Sequence, residues 1–333
     1  MKRIKTILKY TFIVAVCFEL ALWVLGFRPY RYIPFKVDAT PENAILGDSL
    51  LGFKLNPGTF EITLQDSLVF KTTHTATGQR HVPHSNELNP KGQIHFYGCS
   101  YTYGYGVDDH ESFPAIIQET FPKQTVLNHA VMGYGTGQSV IQVQNTEEIE
   151  ANDLVLLCFS DAHFKRNVLS NAYRLHLKIG FENSTKKLKE VMTNARFPYR
   201  TTCQEKFKYE SWENIYEHWP LREYSPGINF VQSQFERIVD NRLDEVAITA
   251  CLIEEMAAAV GEKEATFLVV CLDSSEETKR LQDISKVPYW LNVNFDFADT
   301  TLTNHPYDQH ANVIGNKTIA TKLIPFVASF LNE

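Results

Sequence analysis

Cysteine is scarce in this chain, with 6 among 333 residues, and no two stand at the close spacing of a metal-binding pair. That excludes a zinc module built on paired thiolates. Charge is also thin. Charged residues make up 21% of the chain and the net charge is -7, so there is no basic footprint for nucleic acid. No internal repeat or low-complexity tract occurs, and neither a repeat array nor a disordered polymer is expected. What is present is apolar: 44% hydrophobic residues fit a folded globular protein, long enough for one large domain with extras or two small ones. Aromatics are abundant, with 22 Phe and 15 Tyr, many of them between residues 159 and 235.

The N-terminus lacks an Ala-x-Ala-like cleavage site, and that absence decides between two readings of it. Lys2, Arg3, Lys5 and Lys9 precede an apolar stretch from Tyr10 to Phe27, roughly the length that crosses a bilayer as a helix. The stretch runs directly into Leu25-Gly26-Phe27-Arg28-Pro29, so an uncleaved single-pass anchor over residues 1–30 is expected rather than a signal peptide. Trp23, Tyr30 and Tyr32 suit an interfacial belt, and the leading basic cluster predicts a cytoplasmic N-terminus with the rest of the chain extracytoplasmic. Glu19 lies inside the apolar stretch, where a carboxyl must be neutral or find a partner.

Residues 31–92 hold short strand-like pieces at 51–55, 59–64 and 68–73, separated by turns such as Asn56-Pro57-Gly58 and Thr77-Gly78-Gln79, which predicts a small β-rich preface. From residue 93 the pattern alternates. Strands are expected at 93–97, 125–128 and 153–159, with helices near 112–121 and 137–149. These short, nearly continuous apolar runs fit parallel strands covered on both faces, hence an α/β domain over residues 93–333. Alternation breaks at about 165–235, an insertion expected to form either a lid or wall over a site or a helical packing element. Regular pattern resumes with a helix over 235–260, a strand at 266–272, a short helix near 275–284, a strand at 290–295 and a last helix over 315–331. Cys99, Cys158 and Cys271 sit on or beside strands, where free buried thiols are expected; a disulfide is left open at Cys203 or Cys251.

Chemistry-bearing residues fall at the ends of different strands, where α/β sheets build their sites. Gly98-Cys99-Ser100-Tyr101-Thr102-Tyr103-Gly104 places a serine on a tight turn, from which its hydroxyl can act as nucleophile while its own N–H faces the same space. Asn128 ends the second strand, is expected to fix a turn, and is followed by Gly133, whose N–H can serve an oxyanion. Ser160-Asp161-Ala162-His163 ends the third strand, and Asp308-Gln309-His310 precedes the last helix. Taken singly, each also has an ordinary structural use as a turn, cap or packing residue.

Together these blocks resemble the SGNH (GDSL-like) hydrolase superfamily, in its membrane-anchored bacterial branch, over about residues 93–331. The resemblance rests on Gly98-x-Ser100-x-Thr102-x-Gly104, Asn128-x-x-x-x-Gly133, the cluster at 160–163 and Asp308-x-His310, in that order. It implies a three-layer flavodoxin-like sandwich and a serine esterase. Ser100 would be the nucleophile, His310 the general base, Asp308 its orienting carboxylate, and the N–H groups of Ser100 and Gly133 the oxyanion donors. It implies no cofactor and no metal, because a proton relay already activates the hydroxyl. The implied substrate is a small-molecule or glycan ester, such as an acylated envelope carbohydrate. O-acyl transfer to a polysaccharide and a catalytically impaired glycan-binding or scaffold role are the alternatives. Two departures stand out. Gly98-Cys99-Ser100 replaces Gly-Asp-Ser, and Ser160 stands where the family's third block has an oxyanion-donating Asn, so its shorter-reaching hydroxyl would be the oxyanion donor there, with His163 as a candidate replacement.

Overall fold

The computed structural model describes residues 2–33, 35–84 and 92–331. The end of the expected preface, residues 85–91, lies outside the described residues. The chain begins with helix α1 (Lys2–Val24), which among the described residues is the one helix long and apolar enough to cross a membrane. Five strands follow: β1 (Val37–Thr40), β2 (Ile45–Asp48), β3 (Gly52–Leu55), β4 (Gly58–Leu64) and β5 (Leu68–His74). They form an antiparallel sheet in the order β1-β4-β5 and a β2-β3 hairpin. Strands β1 and β2, four residues each, were not legible in the sequence: neither contains a fully buried position to set an apolar pattern.

Then come β6 (Gln93–Gly98), α2 (Ser100–Tyr103), α3 (Phe113–Thr120), β7 (Thr125–Asn128), α4 (Thr136–Asn145) and β8 (Leu154–Phe159). The insertion carries α5 (Ala162–Asn167), α6 (Asn171–Glu182), α7 (Lys186–Val191), the hairpin β9 (Arg196–Tyr199) and β10 (Lys208–Ser211), and α8 (Pro226–Asp240). The chain closes with α9 (Glu245–Gly261), β11 (Thr266–Cys271), α10 (Glu276–Ile284), β12 (Trp290–Asn292) and α11 (Val313–Phe330).

Strands β12-β11-β8-β6-β7 form one fully parallel sheet, the flavodoxin-like order. Alternate strand residues serve opposite faces. Phe96, Leu154, Leu156 and Val270 pack with Phe113 of α3 and Leu323 of α11; Tyr97, Val155, Leu157 and Val269 pack with Val140 of α4 and Leu252 of α9. Every residue of β8 is buried, which is why its sequence is a continuous apolar run. A third cluster joins Phe53, Phe60 and Phe70 of the preface to Tyr134 and to Tyr173, Met192 and Phe197 of the insertion. The insertion thus packs against the preface through a shared apolar cluster.

Four boundaries depart from expectation. The helix over 235–260 is two helices, because Asp244 leaves helical geometry and its carboxylate accepts the N–H of Ala247 at 3.0 Å, which starts α9 afresh. Helix α4 stops at Asn145 rather than near 149: Thr146 is extended and its hydroxyl accepts the N–H of Glu148. Strand β12 ends at Asn292, since Asn294 adopts a left-handed φ of 49°. Helix α11 begins two residues before 315 because Asn312 caps it, accepting from Ile314 and Gly315.

Candidate active site

Pairing of Phe96 with Asn128 and of Gly98 with Cys158 brings the ends of β7, β6 and β8 to one edge of the sheet. There β6 is flanked by β7, the next strand in the chain, and β8, from which the sheet continues the other way. Ligand crevices form at such a reversal. Gly98 has φ +154°, and a Cβ on it would lie 2.4 Å from Thr102 Oγ1 and 2.7 Å from the Cys158 carbonyl, so no side chain fits at the entrance to the turn. Cys99 is extended, and Ser100 opens the single helical turn α2. The Ser100 N–H belongs to that first turn, where backbone donors have no partner within the helix.

Ser100 is 7% exposed, enough to meet a substrate only from one side. Its Oγ lies 2.7 Å from His310 Nε2. On the other side of the ring Nδ1–H donates to Asp308 Oδ1, which also accepts the backbone N–H of His310 at 2.6 Å. The loop bearing this pair is folded on itself: Asn304 N–H donates to the His310 carbonyl, and Thr303 bridges Ala311. The arrangement fixes one tautomer, with Nε2 free to accept the serine proton. Tyr101 and Tyr105 flank the imidazole at 4.8 and 5.1 Å between ring centres, and Tyr101 leans on Phe297 at 4.4 Å. Burial pushes both phenols up, so they stay protonated and act as apolar walls.

The remaining predicted residues take different places. Asn128 is buried; its amide donates to the Thr102 carbonyl and its Oδ1 accepts the N–H of Ala130, so it ties the β7 turn to α2. Gly133 has φ +80°, and its carbonyl accepts from Tyr173 Oη at 2.6 Å, which holds the Gly133–Tyr134 peptide. Ser160 is fully buried with its hydroxyl 3.6 Å from Cys99 Sγ, beside the nucleophile's neighbour. His163 is also fully buried. Its Nδ1 lies 3.2 Å from Thr136 Oγ1, while Nε2 has no hydrogen-bond partner among the described residues. Burial, reinforced by Arg166, holds its pKa well below the usual histidine value, so the ring is neutral.

Arg80 of the preface was missed. Its side chain is fully buried, stands over the Tyr103 ring at 4.6 Å, donates from Nη1 to the carbonyls of Tyr103 and Gly104 and from Nη2 to that of Val107, and pairs with Asp109 at 2.9 Å. It therefore holds the carbonyl end of α2 and the loop behind the nucleophile. Nothing in Thr77-Gly78-Gln79-Arg80 distinguishes it from a surface arginine. Tyr101 and Tyr105 were findable, since they lie within or next to the serine motif. Among the described residues, no group of three or more His, Cys, Asp or Glu is placed to hold a metal ion.

No protein-family profile and no curated protein matches the chain. Solved structures similar to it include a lipolytic protein of the G-D-S-L family from Veillonella parvula, at 9% identity and TM-score 0.38, covering 70% of this chain and 96% of that one. A psychrotrophic esterase from Pseudoalteromonas sp. is similar at 10% identity and TM-score 0.37, covering 73% of this chain and 100% of that one. Likeness at this level carries no inference about activity.

Proposed function

We propose that this chain is a serine esterase of SGNH type, tethered to a membrane by α1, which hydrolyses an ester through an acyl-serine intermediate. The observation that carries the reading is the unbroken relay Asp308–His310–Ser100, with the serine hydroxyl 2.7 Å from the base. Ser100 Oγ attacks the ester carbonyl as His310 Nε2 takes its proton. The carbonyl electrons move to oxygen, where the N–H groups of Ser100 and Gly133 receive the charge. Collapse breaks the ester bond, and the proton on His310 leaves with the alcohol. Water then attacks the acyl-serine, His310 takes its proton, and the carboxylic product departs as Ser100 regains its hydrogen.

His163 is assigned the third oxyanion donor in place of the family's Asn. A neutral imidazole carries one donor and one acceptor. This role takes Nδ1 as acceptor of the Thr136 hydroxyl, which puts the proton on Nε2, an atom with no hydrogen-bond partner among the described residues. The acyl group or sugar of the substrate would rest against the half-buried faces of Tyr101 and Tyr105. A disulfide between Cys203 and Cys251 supports an oxidising, extracytoplasmic side for the domain, as does the basic cluster ahead of α1.

The test is labelling of the detergent-solubilised full chain with a fluorophosphonate probe, alongside hydrolysis of p-nitrophenyl acetate. Wild type should label and turn over, and Ser100→Ala should lose labelling and at least about 10⁴-fold in rate. Equal rates for both proteins would sink the nucleophile assignment.

A further inference from the structure

Helix α8 is built inside out. On a globular protein an amphipathic helix turns its apolar stripe inward and its polar face to water. Here the inward face is polar. Gln232, 2% exposed, donates to the Glu217 carbonyl and to Glu236, and accepts the N–H of Trp219. Glu236 in turn pairs with buried Arg222, which also bonds Asn229. The outward face is apolar: Val231, Phe235 and Ile238, spaced four and three apart, are 43%, 53% and 52% exposed. Trp219 packs its ring against Phe235 at 5.7 Å, and Leu221 and Tyr224 extend the patch at 63% and 80% exposure.

The patch is continuous with α1. The Glu19 carboxylate sits on the N-terminus of α8, accepting from Gly227 N–H at 3.0 Å and from Ser225 Oγ at 3.1 Å. A Cβ at Gly227 would lie 2.4 Å from that carboxylate and would displace it. The Phe230 ring meets Phe18 and Phe27, Asn229 donates to the Arg28 carbonyl, and Tyr30 N–H donates to that of Arg222. At about 1.5 Å per residue, Glu19 lies about 8 Å before the end of α1. An in-plane amphipathic helix rests about 5–10 Å into the boundary between headgroups and acyl chains. The two depths agree. The polar group that α1 could not bury alone is met by the backbone and hydroxyl donors at the start of α8 at that level.

We infer that α8 is a second membrane contact: an in-plane helix whose Val231, Phe235 and Ile238 stripe, with Trp219, Leu221 and Tyr224, lies among the lipids of the leaflet that the C-terminal end of α1 enters. The inference rests on α1 being a membrane anchor. It makes the tether rigid, fixing how the catalytic edge of the sheet is presented to the bilayer.

The full chain carrying Cys17→Ala retains free thiols only at buried Cys99, Cys158 and Cys271 among the described residues, which permits selective nitroxide labelling. Labels at Phe235→Cys and, independently of the helix, Tyr224→Cys are compared in phosphatidylcholine–phosphatidylglycerol vesicles with Val14→Cys in α1 and Lys279→Cys on exposed α10. Oxygen partitions into lipid and a nickel chelate stays in water. Labels at 235 and 224 should lose nickel collisions relative to 279 and gain oxygen collisions as 14 does. Nickel access equal to that at 279, with 14 protected, overturns the inference and leaves the anchor standing. Nickel access at 14 overturns both. Dipolar broadening between labels at 235 would put a second copy of the chain on this face and overturn the lipid contact. None of these outcomes touches the esterase reading, which fails or holds on the probe labelling alone.

Discussion

Helices α8 and α9 follow each other along the chain, are 15 and 17 residues long, and bury opposite kinds of side chain. Helix α9 sends Val246, Leu252, Ile253, Met256 and Val260 into the core beneath the sheet. Helix α8 sends Gln232 and Glu236 inward and keeps Phe235 and Ile238 outside. Periodicity alone says that a helix has two faces. It does not say which face meets protein, because that depends on what the surrounding medium is. The Asp308–His310–Ser100 relay rests, like α9, on an interior-supported sheet, whereas the contacts with α1 belong to α8.

The widest separation should appear in catalysis. Removing one oxyanion donor costs on the order of 100- to 1000-fold in turnover. His163→Ala should therefore lower kcat by that factor with little change in KM, and His163→Gln, whose amide can donate, should recover part of it. Phe235→Ser, on the α8 side, should leave kcat within about two-fold, as surface changes away from the site do. A His163→Ala enzyme with normal turnover would remove that residue from the site.

Stability should separate the helices next. Leu252→Ala in α9 empties a fully buried position and should cost about 2–5 kcal/mol in denaturant melts. Phe235→Ala deletes a larger side chain yet should cost within about 0.5 kcal/mol in detergent. Comparable losses at the two sites would mean that α8 packs its apolar face against protein.

The smallest effect concerns pH and sets the preface against the α/β unit. Burial brings His74, whose Nε2 accepts from Tyr103 Oη, down to about 4 from 6.5. The unfolded chain takes up that proton first, so stability from His74 is lost as pH falls from 6.5 toward 4. Burial pushes the Asp273 carboxyl up to about 6 from 3.8, and here the folded chain protonates first. Stability from Asp273 is therefore gained as pH falls through 6 toward 3.8. Asp273→Asn should steepen the loss of stability on acidification and His74→Gln should flatten it, read from denaturant midpoints between pH 7 and 4.5. The reverse pattern would contradict both environments.

Much of the α/β unit was legible because its signals are local. Parallel strands covered on both faces read as nearly continuous apolar runs, so β6, β7, β8 and β11 announce themselves within six residues or fewer. The relay was legible because Ser100 and the Asp308–His310 pair each sit in a recognisable short pattern at a strand or helix boundary. Arg80 was not, since its burial is created by the carbonyls of Tyr103, Gly104 and Val107, which come from a separate stretch of chain. The partner of Glu19 was equally hidden. The sequence shows that the carboxyl needs one, but the donors lie 206 and 208 residues further on.

By itself, then, the amino-acid order determined the main strands and helices of the α/β unit, where the chain is apolar enough to leave water, and which residue types could form a proton relay. Those depend on side-chain chemistry and on spacings of two to four residues. Tertiary structure alone decided that Ser100 and His310, 210 residues apart, stand 2.7 Å from each other, that Arg80 braces the carbonyl end of α2 and the loop after it, and that α8 turns its apolar stripe outward beside α1. Long-range pairing selects one partner among many chemically equivalent ones, and that choice is made by how whole elements pack, which no short window of sequence contains.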